Sequence, residues 1–86
     1  MLVRWSLHAE HQFAERAAKL GLNYGDIEIE LKKQKVKVRI EKNKFKTIFK
    51  IFDDIITVVK VETDKFIHVV TLWEANEKEV EIWKKK

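Results

Sequence analysis

Hydrophobic and polar residues follow two different periods in the two parts of this chain. In the first part, apolar residues recur every three or four positions from Phe13 to Leu20, opposite a polar stripe. Ser6 can cap a helix start, and Gly21 directly after the last apolar position is typical of a helix end. The pattern therefore predicts a helix over about residues 7–20.

Two neighbouring segments each allow two interpretations. Residues 1–5 are short and mostly apolar, which fits a small edge strand or a tucked-in terminus. In residues 23–33, Asn23 and Asp26 resemble a capping pair and the apolar positions share a helical face, yet apolar and acidic residues also alternate as in a strand. We favour a short second helix for that segment.

From Lys35 the apolar residues repeat with period two, which is the period of a β-strand. Turn residues interrupt the pattern at 41–44, 53–54 and 63–64, and they divide it into four successive strands ending near Trp73. The last two strands carry apolar residues at both parities, so we expect them in the middle of the sheet.

The end of the chain predicts one more helix. Asn76 and Glu79 form the sequence signature of a capping box, and the helix would follow them. A strand over Val80–Trp83 is the competing interpretation. The sequence thus predicts a single α+β domain, residues 1–86, with one or two N-terminal helices, a four-stranded antiparallel meander sheet and a short C-terminal helix.

Composition excludes several classes of protein. The chain has no cysteine, so disulfides, thiolate metal sites and a cysteine nucleophile are ruled out. It has no apolar run long enough for a transmembrane helix, and its N-terminus is not a signal peptide, so we expect a cytoplasmic protein that does not enter membranes. The absence of proline and the many Lys and Glu residues resemble the composition of thermophile proteins.

The net charge of +4 hides an uneven distribution. Residues 32–50 contain nine basic residues and one acid, a net charge of +8, and the rest of the chain therefore carries −4. If the apolar residues of the first two predicted strands all face the core, the cations between them share one outer face. These cations are Lys35, Lys37, Arg39, Lys44, Lys46 and Lys50.

A basic two-stranded ribbon of this kind is a candidate site for RNA or another polyanion, because phosphates neutralise such a cluster and release counterions. The alternative is a solvated edge whose lysines prevent aggregation of sheets. Arginine is scarce in the chain, so recognition of a specific base sequence is not indicated.

The candidate catalytic residues lie in the first predicted helix. His8 and His11 are spaced i,i+3, and imidazole can act as a general acid or base near neutral pH. Arg16 could clamp a phosphate. We predict no metal site or other cofactor, because the two histidines have no third ligand at a meaningful spacing. His68 is interpreted as a semi-buried strand residue, and Ser6 as a helix cap.

The first third of the chain resembles a known family. The run from Ser6 to Ala9, then Arg16, then Gly21 and Asp26, is similar to a domain-of-unknown-function family that opens with an S-x-H-A motif. That family resembles the RelE/barnase-like small ribonuclease toxins in size and element order. The resemblance implies metal-independent RNA cleavage with roles for His8 and Arg16, and it also favours a helix in residues 23–33.

The sequence therefore gives one leading hypothesis and two alternatives. The leading hypothesis is a small RNA-interacting protein, acting as a toxin-like endoribonuclease. The first alternative is a non-catalytic nucleic-acid-binding module that uses the same basic hairpin. The second is a protein–protein interaction domain, whose partner could be an acidic antitoxin-like protein that covers the basic face.

Overall fold

Five strands form one mixed sheet in the computed structural model, which describes residues 2–33 and 36–85. The spatial order is β1-β5-β4-β3-β2, and neighbouring strands are antiparallel except for β1 and β5, which are parallel. The strands are β1 (Leu2–Trp5), β2 (Lys37–Arg39), β3 (Lys44–Ile51), β4 (Asp54–Glu62) and β5 (Phe66–Glu74).

The predicted α+β class and the meander of the last four strands are confirmed, but the prediction of a four-stranded, wholly antiparallel sheet is wrong. The fifth strand is β1, the segment for which an edge strand was one of two interpretations. Strand β1 lies at one edge of the sheet, parallel to β5, and the helices that follow it carry the chain over one face to β2 at the opposite edge. Strand β2 is shorter than predicted and covers three residues.

The helical segment predicted over residues 7–20 is present, but only its first part is an α-helix. Helix α1 (Leu7–Gln12) continues into a π-helical turn (Phe13–Ala17) and a 3₁₀ turn (Ala18–Leu20). Gly21 then ends the segment with φ 81°, a left-handed conformation that glycine adopts without strain.

The other two helices are where the capping residues predicted them. At the start of helix α2 (Tyr24–Lys33), the backbone N–H groups of Asn23 and Asp26 each donate to the other residue's side-chain oxygen, both at 3.0 Å. Helix α3 (Glu77–Lys84) begins with a complete capping box, in which Asn76 and Glu79 each bond the other's backbone N–H. The strand interpretations of both segments are therefore wrong.

Helices α1 and α2 cover one face of the sheet and α3 covers part of the other. Against α1 and α2 lies the main core, in which side chains of β3, β4 and β5 pack on apolar helix residues such as Phe13, Ile27 and Leu31. Trp5 joins this layer through edge contacts with the rings of Phe13 and Tyr24, and its indole N–H donates to Glu28 at 2.9 Å. We call this the helix-side face and the opposite one the outer face.

Candidate nucleic-acid interface

The basic hairpin does not present its cations on one face, so that prediction is wrong. Val38 lies opposite Lys46, and Arg39 lies opposite Phe45. Residues directly opposite each other in an antiparallel pair share a face, so the apolar residues of β2 and of β3 point to different sides of the sheet.

The loop of the hairpin causes this difference. Ile40 and Lys44 close the loop, which leaves three residues, Glu41–Asn43, between them. With an odd number of loop residues, an even-numbered residue of β2 lies opposite an even-numbered residue of β3. The prediction needed the even-numbered valines of β2 to lie opposite the odd-numbered phenylalanines of β3. A change of one residue in register moves every side chain of a strand to the other face.

The six predicted hairpin cations are accordingly divided. Lys37 and Arg39 lie on the helix-side face, whereas Lys44, Lys46 and Lys50 lie on the outer face. Lys35 falls outside the described residues. Two of the cations also have carboxylate partners, since Lys37 Nζ is 3.1 Å from Glu62 and Lys46 Nζ is 3.3 Å from Glu79.

On the outer face of the whole sheet, by contrast, the charged side chains of the strands are all basic. By register, its residues come from all five strands. They are Leu2, Arg4, Val38, Lys44, Lys46, Ile48, Lys50, Ile55, Thr57, Val59, Val61, Phe66, His68, Thr71 and Trp73. This set contains four permanent cations, one histidine and no carboxylate, whereas the acids of the strands, Asp54, Glu62 and Glu74, all lie on the helix-side face.

One row of the outer face crosses four strands. Arg4 is directly opposite His68, His68 is opposite Val61, and Val61 is opposite Lys44. Neighbouring strands are about 4.8 Å apart, so the row spans about 14 Å from Arg4 to Lys44. The Arg4 guanidinium lies over the Phe66 ring, 4.5 Å from its centroid, and within residues 2–33 and 36–85 neither Arg4 nor Lys44 forms an ion pair.

Helix α3 covers the other end of the outer face. Ile48, Thr57 and Val59 are buried there, and the side chain of Glu79 enters from α3 with 3% of its surface exposed. Its carboxylate accepts hydrogen bonds from Trp73 Nε1 and from the Asn76 backbone, both at 2.9 Å, and lies beside Lys46. Burial opposes its ionisation, but the hydrogen bonds from Asn76 and Trp73, with Thr57 and Lys46, outweigh burial and hold the pKa of Glu79 below its usual value.

The helix-side face holds a second buried charge cluster, which belongs to the core. Lys60 is fully buried, its Nζ is 2.8 Å from Glu62, and it donates to the backbone carbonyl of Leu31 at 3.3 Å. Burial lowers the pKa of Lys60, although Glu62 favours its charged form. Lys60 and Glu62 both lie on the helix-side face, so this cluster forms no part of the candidate interface.

The predicted catalytic residues lie in the helix layer. His8 and His11 are exposed on α1, and Arg16 is exposed on its π-helical turn. No contact in the described part of the chain joins any of them to the hairpin cations, and the sheet separates their layer from the outer face. Among the same residues, no group of three or more potential ligands lies together in a way that could hold a metal ion.

Sequence reasoning missed Arg4 and His68 as members of one surface. Arg4 stands in a four-residue strand, and only its parallel pairing with β5 brings it beside His68. No local pattern predicts that pairing. The sequence carries one weak signal for the absence of strand acids from the outer face. Both acids of β4 occupy even-numbered positions, as do the core residues Ile56 and Val58, and residues two apart in a strand lie on the same face.

Comparisons of the chain with protein-family models, with curated proteins and with solved structures returned no match. The resemblance to the S-x-H-A family and to small ribonuclease toxins therefore stays a prediction. No helix within the described ranges is long and apolar enough to cross a membrane.

Proposed function

We propose that this protein binds single-stranded RNA across the outer face of its sheet. The observation that carries the proposal is the sorting of charge between the two faces, because the strands place Arg4, Lys44, Lys46 and Lys50 on the outer face and every strand carboxylate on the other. A face to which the strands contribute cations but no carboxylates attracts a polyanion and gains from the release of its counterions.

The layout of the row fits a single strand better than a duplex. Val61, which is only half-buried, separates Lys44 of β3 from His68 and Arg4, so an apolar strip lies between two polar margins. Unpaired bases can rest on such a strip while phosphates reach the margins, whereas a duplex keeps its bases stacked inside. An acidic protein would meet the same cations, and the experiment below separates the two partners.

Affinity for a short single-stranded RNA, measured at several salt concentrations, tests the proposal. Phosphate contacts from Arg4 and Lys44, which form no ion pair within the described residues, would make log affinity fall with log salt at a slope of about −1.4. We expect Arg4→Glu and Lys44→Glu each to weaken binding about tenfold at low salt and to flatten the slope by about 0.7.

The matched control is Lys32→Glu, which makes the same change of charge at an exposed site on α2. Equal losses in all three variants would mean that only net charge matters, and the proposed surface would then be wrong. A wild-type protein with no measurable RNA affinity would contradict the proposal altogether and leave an acidic protein as the partner to seek.

Cleavage of the bound strand is the second candidate function, and the position of His68 in the middle of the cationic row favours it. An imidazole beside Arg4 could take a proton from an attacking 2′-hydroxyl. RNA recovered from the same binding reactions in the presence of a chelator reports on this function. Cleavage lost in His68→Ala would assign it to the outer face, cleavage lost in His8→Ala, His11→Ala or Arg16→Ala would assign it to α1, and intact RNA would leave binding alone.

A further inference from the structure

The carboxylate of Glu79 lies in a pocket of hydrogen-bond donors that belongs to the sheet. Lys46 of β3 and Trp73 of β5 approach it from the outer face, at 3.3 Å and 2.9 Å. The hydroxyl of Thr57, on β4 between those strands, is completely buried beside this carboxylate. Within the described part of the chain, no group forms a well-aligned hydrogen bond with it. An ammonium group, an indole N–H and a hydroxyl thus converge on a single anion.

This group of donors continues the cationic row of the outer face. We call the three donor residues Lys46, Thr57 and Trp73 the cradle. Lys46 is two residues from Lys44 on the same strand and the same face, so the cradle lies beside the accessible row. Among residues 2–33 and 36–85, Glu79 is the one acid that enters this face, and it comes from α3, an eight-residue helix that packs on the end of the sheet.

We propose that Lys46, Thr57 and Trp73 form a phosphate subsite, which Glu79 occupies in the free protein and yields to a phosphate group of the bound polyanion. The inference rests on the proposed function for the identity of its ligand. It adds that α3 competes with RNA for one end of the outer face, so the helix regulates the affinity of the site.

Chemistry supports such an exchange. A carboxylate and a phosphate accept the same charge-assisted hydrogen bonds from ammonium and N–H donors, and phosphate offers more acceptor oxygens. One of the two Glu79 oxygens also accepts the Asn76 backbone N–H. The capping box therefore orients the carboxylate towards the sheet, and the bond from Glu79 N to Asn76 Oδ1 at 2.9 Å can persist when the carboxylate leaves.

The substitution Glu79→Gln tests the inference, with Glu77→Gln as the matched control. Both remove one negative charge from the first turn of α3, but Glu77 is exposed and lies outside the cradle. Glu79→Gln should strengthen binding of single-stranded RNA about three- to tenfold more than Glu77→Gln does, because Lys46 no longer has a competing carboxylate. In Glu79→Gln/Lys46→Met this gain should disappear.

Inorganic pyrophosphate gives a readout that does not depend on RNA. In an NMR titration of Glu79→Gln, pyrophosphate should shift the indole N–H resonance of Trp73, identified by its loss in Trp73→Phe, and it should shift that resonance much less in the wild type. Amide signals of α3 in the same spectra show whether the helix remains folded in the variant. If α3 unfolds in Glu79→Gln, the wild-type protein provides the test instead. At saturating RNA its Trp73 indole N–H resonance must shift, and an unmoved resonance would overturn the subsite.

The outcomes separate the two proposals. RNA binding without any Trp73 shift, and with equal effects of Glu79→Gln and Glu77→Gln, would overturn the subsite and leave the proposed function intact. A pyrophosphate shift at Trp73 in a protein that binds no RNA would support the subsite as an anion site and overturn the proposed function.

Discussion

At the residue scale, this protein buries charged side chains, which is unfavourable unless each charge has a partner. Lys60 has no exposed surface, and its ammonium group meets Glu62 and the carbonyl of Leu31. Burial alone would raise the pKa of Glu62, but its bonds to Lys60 and Lys37 outweigh burial and lower it. A buried ion pair adds little net stability, but the loss of one partner leaves the other charge buried and uncompensated.

Glu62→Gln should therefore lower the free energy of unfolding by about 3 kcal/mol, because the buried ammonium group of Lys60 loses the carboxylate that compensates its charge. Urea denaturation measures this loss. The double variant Lys60→Met/Glu62→Gln serves as the control and should recover most of the stability, since no buried charge remains. A single variant as stable as the wild type, or a double variant less stable than the single, would contradict this account of the cluster.

The sequence does not predict these pairings. Lys60 stands in a run of β-branched residues that is correctly read as a central strand, yet a lysine in such a run can also reach solvent at a strand end. Its burial depends on α2 packing over β4, which is a tertiary contact. Glu79 was predicted as a capping residue, and that role is confirmed, but its bonds to Trp73 and Lys46 follow from the docking of α3.

At the scale of elements, local signals were sufficient wherever a cap or a period defined the structure. The capping pair at Asn23 and the capping box at Asn76 predicted the starts of α2 and α3. The π-helical turn in residues 13–17 left no sign in the apolar spacing, because both helix types bury Phe13 and Ala17. The faces of the hairpin depended on the number of loop residues, which an alternating pattern does not specify.

Ser6 joins three elements, which makes it the cap most worth testing. Its hydroxyl accepts the N–H of Ala9 in α1 and donates to the carbonyl of Val70 in β5, both at 3.0 Å. We expect Ser6→Ala to cost about 1–2 kcal/mol, because a helix cap and the hydrogen bond from the hydroxyl to the β5 backbone are lost together. That loss corresponds to a fall in melting temperature of about 5 °C or more for a domain of this size.

The control for this prediction is Ser6→Thr, which keeps the hydroxyl and should retain most of the stability. Thermal denaturation of the three proteins measures the difference. Equal melting temperatures for Ser6→Ala and the wild type would show that the hydroxyl does not support the junction of β1, α1 and β5.

At the scale of the whole molecule, the fold separates the predicted catalytic residues of the first helical segment from the outer face, whereas the sequence analysis placed them in one site with the hairpin cations. The helix layer carries His8, His11 and Arg16, whereas the outer face carries Arg4, His68 and Lys44. The concentration of positive charge in residues 32–50 was visible in the sequence, but its division between two faces required the strand register. The outer face is the cationic face because the register places Arg4, Lys44, Lys46 and Lys50 on it, whereas α1 and α2 pack on the opposite face.

The most direct test of this account is an NMR titration of the ¹⁵N-labelled protein with a short single-stranded RNA, with shifts mapped on the sheet. We predict the largest changes at Arg4, His68 and Lys44, with little change at Lys32 on α2. Changes centred on His8, His11 and Arg16, with the signals of the outer face unmoved, would contradict the claim that RNA binds across the outer face.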